Sequence, residues 1–184
     1  GSCVPAAVAN DYAAALKKSG AALKSLNVYD AVWEANAARP ALPATPCRLL
    51  TPAQTGATAA DRIAMVRAEL AKQGATALAV TGLDCVGWLL NLRANDLPCT
   101  PLAVAYALVT KDACTLFIAS GRLSDADAAT LAESGVTIRD YADLLPAVQA
   151  LPADEVFIAD EKATNYDLYT ALCAHKTVAG ADPI

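Results

Sequence analysis

The chain has 184 residues, a formal net charge of −5 and 55% hydrophobic residues. That length suits one α/β domain with an extra helix or two, and it buries a core without staples. The acidic balance and the lack of a Lys/Arg cluster argue against nucleic acid or an anionic membrane surface as partner, since both select a basic patch. The longest purely apolar run, Leu102–Val109, falls far short of the roughly 20 residues of a spanning helix, and much of the hydrophobic excess is alanine. The first residues show no basic-then-apolar signal pattern, so a cytoplasmic location is expected.

The stretch Asn10–Leu23 reads as an amphipathic helix capped by Asn10 or Asp11, with Gly20 following the last turn. Prolines at positions 40, 43, 46 and 52 then break regular structure and stiffen the chain. Residues 1–38 are therefore expected to be the terminal helix of a preceding domain, residues 39–57 a proline-rich linker, and residues 58–184 the main domain. That domain opens on a helix over 58–74. Thr58 and Asp61 form an acidic capping box, Ile63, Val66 and Leu70 share one face, and Gly74 stops it. Ala75–Thr81 is a short apolar strand.

The next stretch, "TGLDCVGWLLNLRANDLPCTP", predicts a helix capped by Asp84 with Val86, Leu89 and Leu90 inward and Trp88 half buried. Asn91 can close it in the left-handed conformation. Arg93, Asn95 and Asp96 then lie on a polar loop stiffened by Pro98 and Pro101. Two strands follow around a Lys111-Asp112 turn, an antiparallel hairpin. After it come a helix from Ser124 to Gly135, the strand "VTIRDY", a short or kinked helix around Pro146, the strand "DEVFIAD", a helix over 163–175 and a final strand "KTVAG". Strands alternate with helices except at the hairpin, which predicts an α/β fold with a mixed β-sheet flanked by α-helices.

Chemistry-bearing residues are sparse. The six cysteines are widely and irregularly spaced with no C-x-x-C, which fits reduced thiols better than a disulfide framework. His175 is the one histidine, so no metal-ligand cluster stands out, and a Cys–His centre would depend on it alone.

The segment Leu83–Pro101 resembles the Xaa-Pro aminopeptidases of the creatinase/prolidase metallopeptidase family. The resemblance rests on Leu83-Asp84, Trp88 to Arg93, Asp96, Pro98, Pro101 and Ala105-Tyr106. "NVYDAVWEANAARPALP" and the helix-strand pair from Ala59 to Asp84 are similar to family segments in the same order. Ala94 stands where the family has glycine and Asn95 where it has serine, which leaves Asn95 to supply any positive φ in the loop. Cys99 and Thr100 are further departures.

The resemblance implies a creatinase N-terminal-domain-like fold and a non-catalytic middle domain that helps frame the substrate cleft. The parent would release the N-terminal residue of peptides with proline at position two. Water activated by two divalent metals, expected to be manganese, would do so on a separate catalytic domain, and this chain would hold no cofactor. Its partners would be that domain, the proline-containing peptide and a second copy in a homodimer. Substrate-cleft or interdomain candidates are Arg93, Asp96, Asn95 and Trp88; an Arg93–Asp96 surface or interdomain ion pair is the plainer alternative. Two other readings stay open. One is a stand-alone α/β binding module, and the other a thiol enzyme built on a cysteine with His175.

Overall fold

The computed structural model describes residues 3–26, 29–36, 39–180 and 183–184. A four-stranded mixed sheet lies at its centre, in the order β2 (Leu78–Val80), β4 (Ala105–Val109), β5 (Cys114–Ile118) and β6 (Val136–Arg139). β4 is antiparallel to β2 and to β5, with Tyr106 opposite Phe117, and β6 runs parallel to β5. A second, parallel pair, β7 (Val156–Ala159) with β8 (Lys176–Ala179), joins it through one parallel bridge at Ala77 and Phe157. Apart from both, β1 (Arg48–Leu49) pairs antiparallel with β3 (Leu92–Arg93).

Alternate side chains of the central strands feed two cores. Ala105, Ala107, Val109, Leu116 and Ile118 meet Ile63, Val66 and Leu70 of α4 (Ala59–Lys72) and Val86 and Leu89 of α5 (Leu83–Leu89). Leu108 and Phe117 point the other way, onto α7 (Leu144–Gln149) and α8 (Tyr166–Leu172). Because both faces are covered, these strands are apolar runs instead of apolar–polar alternations. Among the described residues no helix is long and apolar enough to cross a membrane.

Local signals set most helix ends. Thr58 Oγ1 accepts from the Asp61 N–H at 3.1 Å while Asp61 accepts from the Thr58 N–H at 3.0 Å. At α6 (Asp125–Glu133) the Ser124 side chain accepts from the Asp127 N–H, and at α8 the Asn165 side chain accepts from the Leu168 N–H. Such caps contribute about 1 kcal/mol each. Gly74 and Gly135, at φ 73° and 77°, close two helices in the left-handed conformation that glycine adopts without a Cβ clash. Pro146 falls in the first turn of α7, where its missing N–H costs no helical bond, and a single 3-10 turn, Tyr141–Asp143, precedes it.

Two expectations are corrected. The first helix, α1, spans Ala6–Lys17 instead of 10–23. Pro5 sits at its N-cap with φ already near the helical value, so Asn10 and Asp11 lie inside it, and the chain leaves the helix before Gly20 at φ 75°. The α5 helix starts two residues early: Gly82 is the N-cap, and Asp84 sits in the first turn, accepting from the Cys85 N–H at 3.0 Å.

The proline-rich stretch carries ordered elements of its own. Besides β1 it holds α3 (Pro52–Thr55), and Cys47 within it is buried in the main core. By contrast α2 (Tyr29–Asn36) buries none of its residues.

Candidate functional site

The edge of the domain at the α5–β3 junction is built from the core outward. Leu89, Leu90 and Leu92 are fully buried and anchor it. Between them Asn91 adopts φ 56°, turning the chain from helix into β3. An asparagine tolerates that conformation because its side chain can bond locally. Here Asn91 Nδ2 donates to the Ala57 carbonyl at 3.0 Å, and Asn91 Oδ1 accepts from Arg62 Nη1 at 2.5 Å.

Arg62 organises this corner from α4. Its Nη1 also donates to the Trp88 carbonyl, its Nη2 donates to Thr55 O at 2.8 Å, and its guanidinium lies 4.9 Å from the Trp88 ring centroid. Trp88 is half buried, as expected, and it is a lid over a cation rather than a free aromatic. Burial, and then the positive charge of Arg93, hold the Arg62 pKa below the ordinary arginine value. The sequence reading missed Arg62. Its signal was a basic residue within the apolar stripe Ala59, Ile63, Val66, Leu70.

The loop after β3 is fixed by a second arginine. Asp96 Oδ1 and Oδ2 lie 2.6 and 2.7 Å from Arg122 Nη2, with side chains 0% and 2% exposed respectively. Asp96 also accepts from Thr45 Oγ1 at 2.5 Å and from the Val104 N–H at 2.6 Å. Arg122 Nε donates to Thr45 O at 2.9 Å, and the Cys47 N–H donates to Arg122 O at 2.7 Å. Burial works to raise the Asp96 pKa, but the bonds from Thr45, Val104 and Arg122 outweigh it and hold the carboxyl below the usual aspartate range. The expected Arg93–Asp96 alternative is thus replaced by a buried Asp96–Arg122 pair. Arg122 stands in a turn, "SGRLS", and carried no local signal.

The other candidates separate. Asn95 is exposed on the loop and does not supply the positive φ; Cys99, at φ 59°, does. Residues 95–101 line a concavity of about 440 Å³. Arg93 is half buried and faces back toward α5, its Nη1 donating to Gly87 O at 2.6 Å and Leu92 O at 2.8 Å. Glycine at 87 makes this approach possible, since a Cβ there would stand 3.2 Å from Arg93 Nη1. Among the described residues Arg93 has no carboxylate partner. The structure therefore brings Trp88 and Arg93 to one corner and locks Asp96 into the adjoining loop. What this arrangement can do is orient: it holds a guanidinium at a rigid edge.

The thiols and the histidine do not come together in an activated pair. Burial pushes Cys114 up to about 12 and raises Cys47. The His175 Nε2–H donates to Val148 O at 2.9 Å, and the ring tilts against Phe157 at 5.3 Å. At pH 8, iodoacetamide is expected to alkylate exposed Cys99 and Cys173 while sparing Cys47 and Cys114, read by peptide mass mapping over time. Early labelling of Cys114 would contradict the buried placement. Among the described residues no three His, Cys, Asp or Glu side chains gather in a way that could hold a metal ion.

Comparison with known proteins bears on the whole chain. The family model for the creatinase/prolidase N-terminal domain matches residues 38–184. A protein named probable Xaa-Pro aminopeptidase P from Sordaria macrospora is 38% identical over 153 residues, which are 82% of this chain and 25% of that protein. Its namesake from Neurospora crassa is also 38% identical over 153 residues, 82% of this chain and 22% of its own length. The chain thus spans about a quarter of the relatives it matches. Among solved structures, an X-prolyl aminopeptidase from Caenorhabditis elegans, described as a cytosolic enzyme with a di-nuclear active site, superposes with a TM-score of 0.81 at 24% identity. The superposition covers 96% of this chain and 30% of that one, and it shows the fold.

Proposed function

Because the chain belongs to the creatinase/prolidase N-terminal domain family, we propose that it is a non-catalytic domain of an Xaa-Pro aminopeptidase, framing the cleft of a longer polypeptide. The match to proteins of that name across most of this chain, but only a quarter of theirs, carries the reading. The geometry supports it: a loop fixed by a buried ion pair and a guanidinium without a carboxylate suit a wall that positions substrate or a neighbouring domain.

In this reading residues 1–38 belong to a preceding unit, residues 39–57 connect, and residues 58–184 form the domain body. The exposed Tyr29, Val32 and Trp33 of α2 support the first assignment, since an apolar stripe at helical spacing belongs against something. The catalytic step belongs to a domain outside this chain. There two divalent metal ions, manganese by proposal, would supply an activated water for the bond preceding proline. Among the described residues no three His, Cys, Asp or Glu side chains gather to hold such metals. The proposed setting is cytoplasmic, with a homodimeric parent.

The test compares this chain with its parent polypeptide on an Xaa-Pro-Xaa tripeptide in excess manganese. The parent is expected to release the first residue and this chain to release none. In the parent, Arg93→Ala is expected to lower kcat/KM about tenfold through misplacement of the cleft wall. Metal-dependent cleavage by this chain alone would overturn the non-catalytic assignment. An inactive parent would favour a binding module on the same fold.

A further inference from the structure

The β1–β3 pair sets two arginines against each other. Its register places Arg48 directly opposite Arg93, and Leu49 opposite Leu92. Opposed residues of an antiparallel pair share one face, with Cβ atoms about 5 Å apart. The leucine pair faces the core, where Leu92 is fully buried and Leu49 packs against the cluster. The arginine pair therefore occupies the outward face. Like charges directly opposite destabilise such a pair. Arg62 adds a third positive charge close enough to Arg93 to be felt electrostatically.

Four cations elsewhere have carboxylate partners, while Arg67 donates its Nε to the Thr110 carbonyl at 2.8 Å. Arg39 pairs with Asp30, Lys72 with Glu69, Arg122 with Asp96 and Arg139 with Asp143. At this corner none of Arg48, Arg62 and Arg93 does so among the described residues. Arg62 and Arg93 instead spend donors on backbone carbonyls, which fixes them in place. Arg93 uses only Nη1 in this way, leaving Nε and Nη2, and Arg48 is exposed with its whole fork available. Two guanidinium groups without a carboxylate partner among the described residues thus share one face of the strand pair. Planar forks match a planar carboxylate best, through paired N–H···O bonds.

We propose that Arg48 and Arg93 form a carboxylate-binding site on the outward face of the β1–β3 pair. The carboxylate has two candidate sources: the free C-terminus of a peptide substrate, or an acidic side chain elsewhere in the parent polypeptide. The site does not depend on the peptidase reading; only the choice of source rests on it.

The first test uses this chain and acetate as probe, with chloride at matched ionic strength as control, following the Arg93 Nε–H resonance by NMR. Acetate is expected to move the signal saturably and chloride not to. Arg48→Ala, at an exposed position that leaves the core untouched, is expected to weaken acetate about tenfold, the loss of one charged hydrogen-bonding partner. Equal responses to both salts, or an unchanged acetate affinity in the variant, overturn the site. The second test puts Arg48→Ala into the parent. A raised KM for a free-acid peptide but not for its C-terminal amide assigns the carboxylate to substrate. A lowered Tm in the parent but not in this chain assigns it to an internal acidic side chain. If neither quantity moves, the site has no role in the parent and the proposal fails.

Discussion

Arg122→Met is expected to destabilise the chain by about 3–5 kcal/mol, measured by urea unfolding, because it strands the Asp96 carboxylate in a site closed to water. Thr45 and Val104 still donate to it, but no cation remains. The double variant Arg122→Met, Asp96→Leu is expected to recover most of the loss, since an apolar pair of similar volume needs no solvation. A single-variant loss below about 1 kcal/mol would place the pair in the class of weak surface bridges instead. The pH dependence has a defined sign. Asp96 has a folded pKa below the ordinary value of about 3.9, so in that window the unfolded chain binds more protons. Its contribution is fully present above pH 3.9 or so and is lost as pH falls through the lower folded value. Asp96→Asn is expected to remove that part of the acid transition.

Arg62→Ala is expected to cost about 3 kcal/mol, combining the lost Trp88 stacking with carbonyl acceptors left short of donors. Asn91 Oδ1 loses its donor too, and Asn91 is the residue that turns α5 into β3. The variant therefore loosens the strand that carries Arg93. Relief of the Arg62–Arg93 repulsion works in the opposite direction, but it acts without direct contact and is the smaller effect. Arg62→Lys keeps the charge without the fork and is expected to recover less than half of the stability. Trp88 fluorescence should shift in Arg62→Ala even under native conditions. An unshifted spectrum together with wild-type stability would remove Arg62 from its place as organiser of the corner.

Much of the fold was legible because its signals are local. The Thr58/Asp61 box, the Ser124 cap and the Lys111-Asp112 turn each act over a few residues, and each element appears where its signal lies. Asn91 behaved in the same way, its left-handed turn following directly from residue type and position. The site was less legible because its contacts are distant in sequence. Asp96 lies 26 residues from Arg122, and Arg62 lies 29 from Asn91, so no window that reads a helix or turn contains both partners. The loop's positive φ fell to Cys99 instead of Asn95 for a local reason. The Thr100 N–H donates to the Leu97 carbonyl at 3.3 Å, closing a turn with Pro98 and Cys99 at its centre, and the residue after the proline takes the left-handed conformation.

The Arg122–Thr45 bond closes a loop of 77 residues. Contacts of such separation form after local ones, because the entropy of closing the loop is spent before the contact returns anything. On a growing chain, Asp96 is made well before Arg122 and spends that interval as an ordinary hydrated carboxylate. The strap around Thr45 can meet Asp96 and β3 earlier, but it lacks its arginine until the turn after β5 has emerged. The corner of the domain with the most fixed geometry is therefore among the last parts of it to be assembled.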